Sequence, residues 1–238
     1  NGYSGIAWNG QGNPDNSVAA WTTAWNIDGT LTSATTSSGG GRGGYTFSAN
    51  NGAAATNPPG NAVWGGDNRK ERGGLGGRPL INPSNTSQRI FFGGGGGAGD
   101  GNNTASAGGA AGGGIVFVLA PTVSGTGTIN ANGQNAPTTL PAHNDAPGGG
   151  GGGGSVIVAA TTLSNVSINA KGGNGGNQLI TNNEGEGPGG GGGGGVVATS
   201  GGIVPISVAV GSNGKTNSGA LTEFLPNGAT SGAPGNTS

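Results

Sequence analysis

The sequence predicts an all-β, extended protein with essentially no helix. The expected body is glycine-rich and layered or solenoid-like, with short strands at a period of about 40 residues and packed polyglycine II segments. Three observations lead there. Glycine and proline supply 61 and 13 of the 238 residues, whereas Leu, Ile, Val and Phe together number only 38. That is too little apolar surface for an ordinary core, yet the formal charge of −1 lacks the repulsion typical of disordered chains. Strand-like apolar runs recur at a fixed spacing, and seven-glycine runs stand in register with them.

Residues 1–38 are poorer in glycine and carry Tyr3, Trp8, Trp21 and Trp25. Aromatic residues at this density suit a cap or a contact between subunits, because large rigid rings anchor interfaces. Residues 39–91 hold a diverged strand, Thr46–Gly52, and a charged insert. In that insert Arg69, Lys70, Arg72, Arg78 and Arg89 gather five of the eight positive charges. They form a candidate patch for an acidic glycan or a neighbouring subunit. The plainer alternative is a solvated insert whose acid–base pairs contribute little.

Residues 92–216 form the regular array. Ile115–Ala120, Val156–Ala160 and Val196–Ser200 start at 40-residue spacing when aligned on their leading glycines. Their β-branched, unbroken apolar character predicts strands buried on both faces. Val123, Leu163 and Ile203 follow at the same spacing, expected between a first and a second strand. Second strands are expected at Thr128–Ala131, Ser167–Ala170 and Ser207–Val210, alternating in polarity and each leading into an Asn/Gly turn. Residues 217–238 read as a C-terminal cap or tail, so that the four regions make one continuous body with atypical ends.

The glycine runs Gly148–Gly154 and Gly189–Gly195 each follow a proline. Flexible tethers usually mix serine into glycine; these runs contain none. Polyglycine II, a left-handed helix with three residues per turn and about 3.1 Å rise, is the alternative. Neighbouring rods of this kind can satisfy one another's amides. Gly148, Gly154, Gly189 and Gly195 bound the candidate scaffold segments. In a helix interior, glycine at this density would cost roughly 1 kcal/mol per residue.

Chemistry is sparse. With no cysteine there is neither a disulfide nor a thiolate metal site, and the single histidine, His143, lies in a polar loop. Asp145, Glu184 and Glu186 occupy corresponding places just before the glycine runs. A carboxylate pair for glycoside hydrolysis would need a cleft that nothing else in the sequence suggests. No enzyme activity and no cofactor are expected; the loop acids, Asn side chains and carbonyls offer at most the ligand types of a weak calcium site. A pI near 5.7 gives no basic field for nucleic acid. The longest apolar run, Ile115–Ala120, is far too short to span a bilayer. Because the chain opens at Asn1 without a hydrophobic leader, a secreted, already processed chain is expected.

Phe91-Phe92 with the glycines after them, the segment Gly112–Ala136 and the segment Pro147–Gly176 resemble the glycine-rich repeat regions of secreted and surface-exposed bacterial proteins. The likeness spans residues 91–216. The glycine tracts are also similar to those of the tail-tip adhesins of T-even-like phages, from which the two-strand units depart. The first resemblance implies an extracellular structural protein that associates with itself into a filament or surface layer. The second implies a binding module whose loops contact a surface glycan or protein, with His143–Asp145, Gln178–Glu186 and the Arg69–Arg89 insert as its candidate loops. Rows of Thr and Asn add an ice-binding role as a third expectation. Neither resemblance supplies a catalytic residue.

Overall fold

A computed structural model describes residues 43–44, 76–77, 90–99, 108–140, 146–180, 187–218, 225–226 and 229–238. Among them there is no helix, and seven strands form two parallel sheets. Strands β1 (Ile115–Ser124), β3 (Ser155–Ser164), β5 (Val196–Thr199) and β7 (Asn236–Thr237) make one sheet in the order β1-β3-β5-β7. Strands β2 (Thr128–Asn130), β4 (Ser167–Asn169) and β6 (Ile206–Ser207) make the other, in the order β2-β4-β6.

The register tracks the residue pattern closely but not uniformly. Ile115 pairs with Ser155, Ser155 with Val196 and Val196 with Asn236, offsets of 40, 41 and 40 residues. In the second sheet Ile129 pairs with Ile168 and Ile168 with Ile206, offsets of 39 and 38. Matching the sequence segments to one another sets Val196 opposite Val156 and Val208 opposite Ile168 instead; both expectations are corrected. The extra residue before β5 is one more glycine, and the shorter path to β6 brings a β-branched residue to the inner face.

The core lies between the two sheets. Val156, Val158 and Val197 point inward from the first sheet and Ile168 from the second, with Ala131, Ala170 and Val204 beside them. Leu163 and Val166 close the tip, where the chain passes from β3 to β4. Each fully buried aliphatic side chain of this kind contributes roughly 1.5–3 kcal/mol relative to exposure. At the tip, Gly125 (φ 141°), Asn165 (φ 57°) and Gly201 (φ 90°) take positive φ. These are the residue types that reach that region at least cost.

Three expectations about the strands are corrected. β1 is not buried on both faces: Phe117 and Leu119 are 59% and 76% exposed. Val123 and Leu163 do not lie between strands but near the ends of β1 and β3, paired with each other. Ile203 alone of the three lies between a first and a second strand as expected, between β5 and β6, and is fully exposed. Residues 217–238 read as a tail in the sequence, yet β7 pairs with β5 at the same offset that separates β1 from β3. Aromatic residues 3–25, the strand at 46–52 and the insert at 69–75 lie outside the described residues.

Candidate functional site

The segments before β3 and β5 are all glycine, those before β1 and β7 mix glycine with small residues, and the backbone of each continues the strand's direction away from the core. All of Gly148–Gly154 and Gly189–Gly195 are buried. Their amides rotate among three neighbours with a period of three. Gly149 and Gly152 donate to the carbonyls of Gly97 and Gly94, at 2.9 and 2.8 Å. Gly150 and Gly153 donate to Gly190 and Gly193, at 2.9 and 2.8 Å. Gly151 and Gly154 donate to Gln134 and Ala131, at 3.0 and 2.7 Å. The carbonyls use three further segments: Gly149 and Gly152 accept from Ala110 and Gly113, Gly148 and Gly151 from Gly176 and Gly173, and Gly150 from Gly77.

Six segments therefore surround Gly148–Gly154. Descending acceptor numbers mark 94–97 and 131–134 as antiparallel, and ascending ones mark 190–193 as parallel. Gly189–Gly195 has the same surroundings one step on. Gly189, Gly192 and Gly195 donate to Gly176, Gly173 and Ala170, while Gly191 and Gly194 donate to Thr230 and Ala233. Gly193 donates to Gly77, and Pro188 accepts from Gly44. The segments fall into three rows. A central row comprises 108–114, 146–154, 187–195 and 229–235. A flanking row continues the second sheet at 131–139, 170–178 and 207–216. The third holds 93–99, 76–77 and 43–44.

Glycine is required here by space. A Cβ at Gly151 would collide with the carbonyl oxygen of Ala111, at Gly192 with that of Gly151, and at Gly154 with that of Gly114. Backbone lies against backbone on every side, so even serine is excluded. At the margin, at Gly108 and Gly114, there is open space for a side chain.

The flanking row exposes a second motif that sequence reasoning missed. The residues after β2, β4 and β6 are not turns but extended segments. Lys171, Asn174 and Asn177 stand every third residue, exposed, with paired glycines between them. Among the described residues, their outward amides have no further row to bond. Instead the Oδ1 atoms of Asn132 and Asn135 accept from the amides of Lys171 and Asn174, both at 2.8 Å. Those of Asn174 and Asn177 accept from Ser212 and Lys215, at 2.9 and 3.0 Å. The three-residue spacing of Asn was the signal available in the sequence. Farther along this row Gln178 is fully buried and accepts a hydrogen bond from the Thr216 hydroxyl, while its Nε2 is unpaired.

Of the residues singled out from sequence, Gly148, Gly154, Gly189 and Gly195 are brought together in this lattice. Tyr3, Trp8, Trp21, Trp25, Arg69, Lys70, Arg72, Arg78, Arg89, His143, Asp145, Glu184 and Glu186 lie outside the described residues. Among the described residues no group of three or more His, Cys, Asp or Glu could hold a metal ion. No described helix is long and apolar enough to cross a membrane. No protein-family model matches the chain, no curated protein is significantly similar to it, and no solved structure matches it.

Proposed function

We propose that this chain is a non-enzymatic, extracellular structural protein that associates with copies of itself into a bacterial surface filament or layer. On this reading the offsets of 38 to 41 residues are turns of one coil, and the bonded glycine segments are polyglycine II rods packed side by side. The observation that carries the reading is the pair of lateral ends: among the described residues, β1 and β7 each have a sheet neighbour on one side only. An unpaired strand edge is a template for a further strand unless it is blocked. With 7% charged residues, little repulsion opposes such growth. A head-to-tail contact that does not close gives an open fibre. Tyr3, Trp8, Trp21 and Trp25 are kept as further candidate contacts between copies. Negative-stain microscopy of the purified chain tests the reading: fibres or sheets are expected, and discrete particles at every concentration would contradict it.

A second reading has its own support. Segments 93–99, 131–140 and 170–180 run away from the apolar core, and segments 108–114, 146–154 and 187–195 run back toward it. That up-and-down course suits an adhesin that contacts a surface glycan or protein, with His143, Asp145, Glu184 and Glu186, all outside the described residues, as its candidate contacts. Replacing 141–145 and 181–186 should then abolish surface binding and leave oligomeric state unchanged. Unaltered surface binding would remove this alternative.

A further inference from the structure

We infer that the joint between copies is the lateral end of the four-stranded sheet: the β7 edge of one copy pairs in parallel with the β1 edge of the next. This rests on the self-assembly reading and names its interface.

The argument is one of complementary hydrogen-bonding groups. Within the chain, each rung bonds to the one before it in a single pattern. Ser155 N–H donates to Gly114, Val196 N–H to Gly154 and Asn236 N–H to Gly195, at 3.1, 2.9 and 2.9 Å. Thr199 and Ser238 continue it, with Thr199 N–H donating to Ser238 and Ser238 N–H to Val197. Because alternate residues of a parallel strand face opposite edges, β7 turns the carbonyls of Gly235 and Thr237 and the amide of Thr237 outward. By the same alternation β1 turns outward the amides of Ile115 and Phe117 and the carbonyl of Ile115. One further rung in the existing register sets Ile115 of a second copy opposite Asn236. Its Ile115 N–H then meets the Gly235 carbonyl, its Phe117 N–H meets the Thr237 carbonyl, and Thr237 N–H meets its Ile115 carbonyl.

A second copy carries the groups that fit both edges. β3 and β5 stand between β1 and β7, so the two edges lie about 14 Å apart, facing opposite ways. They cannot meet within one chain. Nor does the central glycine row obstruct the approach: beside β1 it ends in Gly108 and Gly114, where a side chain would meet nothing. The Asn-bearing row differs, since its outward amides are occupied by Asn side chains. Growth is thereby directed along the strand-stacking direction and away from that lateral face.

Cysteine cross-linking tests the joint, because the chain has no cysteine of its own. Ile115→Cys and Asn236→Cys are made in separate chains, mixed and mildly oxidised; partners in register lie within the Cα separation a disulfide accepts. The expected result is a mixed disulfide dimer several-fold more abundant than from Thr122→Cys mixed with Asn236→Cys. Equal yields overturn the inference. Thr237→Pro provides the second arm, since it removes an amide that only the neighbouring copy would use, at an edge position where proline is tolerated. It should lower the Ile115→Cys/Asn236→Cys cross-link about tenfold without moving the unfolding midpoint; an unchanged cross-link overturns the inference. Fibres without the 115–236 bond would leave self-assembly standing and refute this joint. The bond in dispersed dimers that never form fibres would keep the joint and refute the filament.

Discussion

The two ends of this molecule are built from the same chain by opposite means. Gly154 ends a buried glycine segment and Ser155 begins β3, so one peptide bond separates them. Beyond it, Val156, Val158 and Ile168 are held by side-chain burial, an effect without direction that tolerates small shifts. Before it nothing but backbone is available, and every contact is a directed amide–carbonyl bond with a net worth of about 1 kcal/mol. Ordering glycine costs more conformational entropy than ordering any other residue. The bonded glycine segments therefore depend on the apolar end to fix where they begin. The difference teaches that close approach of main chains can replace a side-chain core where a neighbouring core sets the register.

The comparison can be broken most severely in the lattice. Gly192→Val places a branched side chain against the carbonyl of Gly151, and should destabilise the fold by more than about 4 kcal/mol. Thermal and denaturant unfolding measure this, and a loss below about 1 kcal/mol would mean that the glycine segments have room to part. In the apolar end the sensitivity has the opposite sign: removing atoms does the harm. Ile168→Ala empties a fully buried site, with an expected cost of about 3 kcal/mol. An intermediate effect is expected at the Asn-bearing surface. Asn174→Ala leaves the Ser212 amide to water, at a cost of about 1 kcal/mol in the same assay. The smallest belongs to Gly114→Ala, which meets open space and should change stability by less than about 0.5 kcal/mol. Near neutrality at Gly114 beside collapse at Gly192 would show that position in the lattice, not glycine content, sets the requirement.

The strands were legible because their cause is local. Ile115–Leu119 and Val156–Val158 are apolar, largely β-branched runs that follow glycine tracts, and they pair at the offset read from their spacing. Burial was not legible to the same degree. Phe117 and Leu119 looked like core residues but are exposed, because hydrophobicity alone does not say which sheet face has a partner. Register slipped at Val196, where the glycines before it leave nothing for an alignment to hold, and at Val208, where the path from β5 to β6 is shorter than that from β3 to β4. The second strands were visible in their alternation, but the extended segments C-terminal to them were not. Asn174 and Asn177 carry the turn-forming character of Asn and Gly in sequence, and only a search for a three-residue period separates an extended rod from a turn. The edge complementarity of Gly235 and Thr237 with Ile115 is a property of backbone alternation across four distant segments and has no local signature.

Amide hydrogen exchange, resolved residue by residue across Gly148–Gly154 and Gly189–Gly195, tests the central claim most directly. If these amides are bonded among six surrounding segments, they should exchange as slowly as those of Val156–Val158, in one cooperative unit with the apolar core. Exchange at the rate of an unstructured glycine peptide, while Val156–Val158 stay protected, would contradict the lattice and the assembly argued from it.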